Sequence, residues 1–128
     1  MAASGVLIER LRCAADARGE VFEPLDAAGL APQRNVHVVF TGPQPIRGNH
    51  FHRLGTEVST VVGPHVRYRE NYRVSDLTIP VGEVWRFTFP PGVVHAFRNT
   101  GDAPMLIVSF NTVVHEPSQS DTVREVIL

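Results

Sequence analysis

Lysine is missing from this chain: all 12 basic residues are arginine. Schiff-base mechanisms on a lysine amine, including pyridoxal-phosphate chemistry, are therefore excluded. Cysteine occurs once, at Cys13, which rules out an internal disulfide and any zinc site built from several thiolates. With no histidine near it in sequence, Cys13 reads as a small buried apolar residue rather than a nucleophile. No apolar run approaches the roughly 18 residues that a membrane-spanning helix needs, and no signal-peptide pattern opens the chain; a cytoplasmic location is expected. Net charge is −1 at pH 7 and neither sign forms a block, which argues against a nucleic-acid partner or an acidic membrane surface. Helical periodicity is poor nearly everywhere. A single turn at about Leu25–Leu30, before Pro32, is the one helix expected.

What the chain has instead is punctuation. Ten glycines and ten prolines recur at short intervals between brief segments rich in valine, phenylalanine, isoleucine and threonine, the texture of an all-β domain. The 128 residues suit one domain, and an apolar fraction of 43% supports a real core. Strands are predicted at Gly5–Leu11, Glu20–Glu23, Asn35–Thr41, Ile46–His52, Glu57–Val62, Val66–Glu70, Arg73–Thr78, Val84–Phe89, His95–Asn99 and Met105–Asn111, with a last short one at Val123–Leu128. So many short antiparallel strands must hide their edges, and closure into a barrel or two-sheet jelly roll does so. Residues 1–34 form an N-terminal extension of strands, 35–111 the barrel core and 112–128 a C-terminal segment. The Arg47-Gly48 step inside a strand fits a bulge or a close backbone approach.

The chemistry concentrates in a few side chains. His50 and His52 stand one residue apart on a predicted strand, so alternation turns both imidazoles to one side. Glu57 follows after Arg53-Leu54-Gly55-Thr56, where Gly55 can make the bend, and His95 heads a later strand after the Pro90-Pro91-Gly92 turn. Three imidazoles and a carboxylate on rigid strands form a ligand set for one divalent transition metal, with zinc or iron(II) first and manganese or nickel as further options. Buried polar groups on an inward face are costly unless satisfied, and a metal would satisfy all four. Phe97 and Asn99 share the face of His95 and are expected to line a substrate pocket. Arg47 is a candidate anchor for an anionic group. His37 and Tyr68 are candidate catalytic acids or bases; in Arg67-Tyr68-Arg69 alternation does not choose whether the tyrosine or the arginines face inward. Trp85, Phe87 and Phe89 read as core, and His65 and His115 as loop residues.

These residues resemble the two signature motifs of the cupin superfamily. His50-x-His52, four residues, Glu57, then Gly63 follows the first motif, with Gly42 approximating its leading glycine. Pro90-x-Gly92, two residues, His95, three residues, Asn99 meets the second, with Gly82 as its displaced leading glycine. The resemblance implies a cupin double-stranded β-helix, a jelly-roll barrel, with His50, His52, Glu57 and His95 as metal ligands. A narrower likeness lies in Arg47-Gly48-Asn49-His50-Phe51-His52, Thr56-Glu57, Asn99-Thr100-Gly101-Asp102, Phe110-Asn111 and Ser120-Asp121-Thr122. These stretches are similar to the cupin domain at the C-terminus of capsular-polysaccharide sugar-nucleotide enzymes, which implies epimerisation or isomerisation of a nucleotide-linked keto sugar.

Three functions follow. The first is a metal-dependent isomerase or epimerase acting on a keto sugar or similar carbonyl compound, with a Lewis acid polarising the carbonyl and a base removing the adjacent proton. The second is an iron(II) oxygenase or a cyclase of polyketide-like or aromatic substrates. The third is a non-catalytic small-molecule-binding barrel. A homodimer is expected from the family resemblance, with the N-terminal strands available to pair across an interface.

Overall fold

The computed structural model describes residues 5–128, and its strands make two five-stranded antiparallel sheets packed face to face. The first sheet runs in the order β1 (Leu7–Leu11), β9 (Val84–Phe89), β6 (Glu57–Val62), β11 (Met105–Asn111), β4 (Asn35–Thr41). The second runs β12 (Thr122–Arg124), β5 (Ile46–His52), β10 (Val94–Arg98), β7 (His65–Glu70), β8 (Arg73–Thr78). From β4 to β12 chain neighbours lie in opposite sheets except for the β7–β8 hairpin, so β5 and β6 belong to facing sheets although only a short turn joins them. This is the jelly-roll barrel expected of a cupin.

Alternation accounts for the core. Val61, Phe87, Phe89 and Ile107 from the first sheet meet Val66 and Phe97 from the second, and Met105 closes the cluster. Trp85 packs against it while keeping partial exposure and hydrogen-bonding Glu83. The opposite face of the first sheet is apolar too. The chain between β3 (Gly19–Val21) and β4 crosses part of it, where the Pro24 carbonyl accepts from Thr60 and Arg86. Towards edge strand β4 that cover ends, and Val36, Val38 and Phe40 stay exposed at period two.

The N-terminal extension differs from the expectation in detail. β1 begins at Leu7 and pairs with β9 of its own chain. β3 pairs with β2 (Ala14–Asp16), three exposed residues too short to register as alternation. Cys13, expected to be buried, is half-buried. The helix α1 is Ala27–Leu30, capped by the Asp26 carboxylate on the Gly29 N–H. His65, expected in a loop, opens β7 and bonds Asp76.

Candidate functional site

The β5 strand is not regular: His95 pairs with His50, but the next residue, Ala96, pairs with Gly48, leaving Asn49 as the extra residue of a bulge. Gly48 has φ 83°, and a Cβ there would sit 2.7 Å from the His95 carbonyl oxygen, so only glycine permits this approach. The bulge sets the His50 ring against that of His95, with centroids 4.9 Å apart and planes at 88°. Between β5 and β6 the turn is held from outside. The Asp121 carboxylate accepts from the Leu54 and Gly55 N–H groups, and a side chain on Gly55 would collide with Asn111 and Asp121. Glu57 thereby enters directly opposite the histidines.

One ligand atom from each of His50, His52, Glu57 and His95 lies within 4.8 Å of the others. His52 Nε2 is 2.9 Å from Glu57 Oε1, His95 Nε2 is 2.9 Å from Oε2, and His50 Nε2 is 4.0 Å from Oε1. The rings are fixed from behind. His95 Nδ1 donates to the Val93 carbonyl at 3.0 Å, and Phe89 stacks on the ring at a 4.2 Å centroid distance. Since a carbonyl only accepts, His95 carries a proton on Nδ1 and turns Nε2 towards the carboxylate. The Thr122 hydroxyl lies 3.4 Å from His52 Nδ1 and suits either tautomer. Ser59 donates to Glu57 Oε2 at 2.7 Å and meets Ser109 at 2.8 Å.

Burial pushes the His50 imidazole down to about 4, helped by His95, so it is neutral at pH 7 and free to act as a ligand. Burial alone would raise Glu57. The attraction of His95 and the hydrogen bond from His52 outweigh it and hold the carboxyl well below the usual range.

These donors fit a cation. His50 Nε2 and His95 Nε2 are buried without a hydrogen-bond partner; the His95 contact with Glu57 lies off the axis that a hydrogen bond needs. An imidazole protonated on Nδ1 alone would set its Nε2 lone pair 2.9 Å from a carboxylate oxygen, a repulsive contact unless positive charge, from a proton or a metal ion, stands between them. Two imidazole nitrogens without partners beside one carboxylate form a donor set for a borderline divalent ion.

His50, His52 and Glu57 line a cavity of about 510 Å³, a volume that suits a small organic ligand, and His95 lies buried behind them. A family model for the polysaccharide biosynthesis C-terminal domain matches residues 14–123. The chain belongs to that family. No curated protein matches it. Among solved structures, the capsular polysaccharide assembling protein CapF from Staphylococcus aureus aligns at 24% identity and a TM-score of 0.67, over 91% of this chain and 33% of CapF. The chain thus spans about a third of CapF. A dTDP sugar isomerase from Desulfovibrio desulfuricans G20 aligns at 23% identity and a TM-score of 0.79, over 95% of this chain and 84% of that one. The Mycobacterium tuberculosis rmlC epimerase aligns at 18% identity and 0.72, over 97% and 70%. At these identities the likeness is one of fold.

Within this polysaccharide-biosynthesis domain the other expected site residues scatter. His37 lines the cavity, edge-on to His115 with centroids 5.7 Å apart. His115, read as a bare loop residue, also lines it. Tyr68 faces inward, settling the Arg67-Tyr68-Arg69 alternation, but lies beyond His95 from the cavity and packs beside Phe89. Phe97 is buried in the core rather than lining the pocket, because it sits two residues further towards the apolar end. Asn99 is fully buried and does not line the pocket: its amide donates to the Thr41 and Ala103 carbonyls and accepts from Gly101. Arg47 is turned away from the cavity, with Nε donating to Thr41 Oγ1 at 2.9 Å. Sequence reasoning missed Thr122 and Arg124, which β12 brings onto the cavity face opposite His52 and His50. The apolar run at the C-terminus hints at a strand, but its partner is not written locally.

Proposed function

We propose that this chain is a sugar-nucleotide isomerase or epimerase and that His50, His52, Glu57 and His95 hold one divalent transition metal in its cavity. The observation that carries the reading is the pair of buried, unpartnered imidazole nitrogens converging on Glu57. Membership of a polysaccharide-biosynthesis family and fold likeness to a dTDP sugar isomerase and an epimerase support the substrate class.

A bound metal would act as a Lewis acid towards a substrate carbonyl. The chain's own residues supply the rest. Phe89 stacks on the buried His95 ring and keeps water from that side of the cluster. His37, at the opposite wall, is the candidate base for the proton next to the carbonyl, and its neighbour His115 is a second group able to hold that proton. Returning the proton to the same carbon from the other side gives an epimer; returning it one carbon away gives an isomer.

The test is isotope exchange. In deuterated buffer, a panel of nucleotide-linked keto sugars is expected to take up deuterium at carbon in the presence of the protein. His95→Ala is expected to lower that rate by at least about a thousandfold, remove the metal found by elemental analysis and leave the barrel folded. Exchange without any bound metal would discard the metal and leave the histidines as acid–base groups. Dominant iron accompanied by oxygen uptake, with no exchange, would replace the reading by an oxygenase.

A further inference from the structure

An activated sugar carries negative charge that the four-ligand cluster does not address, and the cavity holds one arginine. Arg124 lies opposite His50 across the β12–β5 pair, and in an antiparallel pair directly opposed side chains share a face. Its guanidinium has no ion pair or hydrogen bond among the described residues. The acidic groups on the same wall are committed elsewhere: Asp121 to the Leu54 and Gly55 N–H groups, Glu116 to Ser118. A charged donor with five N–H groups thus stands free at the mouth of a concave site.

The strand that carries it is clamped at both ends. Upstream, Asp121 grips the β5–β6 turn and its carbonyl accepts from Arg53. Downstream, Glu125 donates its N–H to the Asn49 carbonyl and pairs with Arg69, and the Ile127 carbonyl accepts from Arg67. The Asn49 amide, projected by the bulge, accepts from the Ile127 and Leu128 N–H groups. A three-residue edge strand held this firmly fixes the backbone from which Arg124 projects, so only its side chain remains to be ordered when an anion binds.

We propose that Arg124 is the anion anchor of the cavity, binding the diphosphate of a nucleotide-linked sugar beside His50. This rests on the sugar-nucleotide reading above for the identity of the anion. Arg47, the anchor suggested by sequence, is spent on Thr41 and the Phe40 carbonyl.

Isothermal titration with thymidine diphosphate and with inorganic pyrophosphate tests it, on the wild-type chain, Arg124→Gln, Arg124→Lys and Arg47→Gln. Arg124→Gln is expected to weaken thymidine diphosphate at least roughly tenfold, since a charged hydrogen bond is lost, with Arg124→Lys in between. Arg47→Gln is expected to match wild type. Added salt should weaken the wild type more than Arg124→Gln. Pyrophosphate binding that falls in parallel identifies the diphosphate as the recognised group; loss for thymidine diphosphate with pyrophosphate unchanged assigns Arg124 to the nucleoside and overturns the proposal. Equal affinity of wild type and Arg124→Gln, or no binding to wild type, also overturns it. Isotope exchange separates the two readings: absent exchange with Arg124-dependent binding removes the isomerase and keeps the anchor.

Discussion

Two cross-strand rows of the first sheet face the barrel interior only four residues apart, and they have opposite characters. One row is Asn35, Asn111, Glu57 and Phe89; the other is Val39, Ile107, Val61 and Trp85. Between them lies His37, Ser109, Ser59 and Phe87, a row that is polar on the β4 side and aromatic on the β9 side. The same pleat turns all three inward, so alternation decides the face but not the chemistry. The second sheet repeats the gradient: Arg124, His50, His95, Tyr68 form one row, and Phe97, Val66, Leu77 the next inward row, with the exposed Arg47 at its β5 end. One end of the barrel is a cavity that keeps its polar groups partly unsatisfied. The other is close-packed. The stable end positions groups that would be too costly to gather without it.

If the two ends are separable, an injury to the packed end should cost stability and spare the site. Phe87 is fully buried and stacks with Phe89 at 5.8 Å. Phe87→Ala is expected to destabilise the chain by about 3–5 kcal/mol in chemical denaturation, through lost burial and the cavity left behind. Metal stoichiometry in the protein that remains folded should not change. A loss of metal alongside stability would mean that the Phe89–His95 stack transmits the damage, and the division into two ends would fail.

Acid should injure the other end. In metal-free protein the His50 pKa is about 4 against 6.5 for an unperturbed imidazole, so between those values the unfolded state binds more protons than the folded one. Stability is therefore full above pH 6.5 and falls as pH drops towards 4, by an amount on the order of 3 kcal/mol for this group alone. The lowered Glu57 pKa acts in the same direction, its contribution being lost further into acid. Thermal melts in chelator across pH 7 to 4 should show the fall. In His50→Gln the slope between pH 6.5 and 4 should flatten; an unchanged slope would mean that another group drives it.

How much of this was legible follows from which effects are local. Ile46–His52, Glu57–Val62, Val84–Phe89 and Met105–Asn111 match their predicted bounds, since each is a run of β-formers between turn residues. His50, His52 and Glu57 come together through one strand's alternation and one turn, both written within eight residues. Asn99 escaped because β10 ends at Arg98, and beyond a strand's end period two no longer governs direction. Phe97 shows a second gap: sharing a face with His95 does not mean sharing its depth. Arg124 escaped because its direction depends on pairing with β5, more than 70 residues away, and no short-range pattern encodes that register. Arg47 was favoured because it neighbours His50 in the chain, yet the bulge at Gly48 and Asn49 intervenes between them.

The smallest expected effect probes the boundary between the two ends. Ser59 belongs to the middle row, is fully buried, and donates to Glu57 Oε2 while meeting Ser109. Its hydroxyl leaves one carboxylate oxygen with two neighbours, Ser59 at 2.7 Å and His95 at 2.9 Å, and so sets how the carboxylate is rotated. Ser59→Ala removes the donor but fills nearly the same space, so stability should fall by only about 1 kcal/mol, mostly from Ser109 losing its partner. Metal affinity, measured by chelator competition, should fall roughly tenfold, because partners behind a ligand orient it. Ser109→Ala, one hydroxyl further from Glu57, should cost similar stability and much less affinity. Equal affinity losses in the two variants would mean that the hydroxyl pair acts through packing, and that the polar end extends one row deeper than the donor geometry implies.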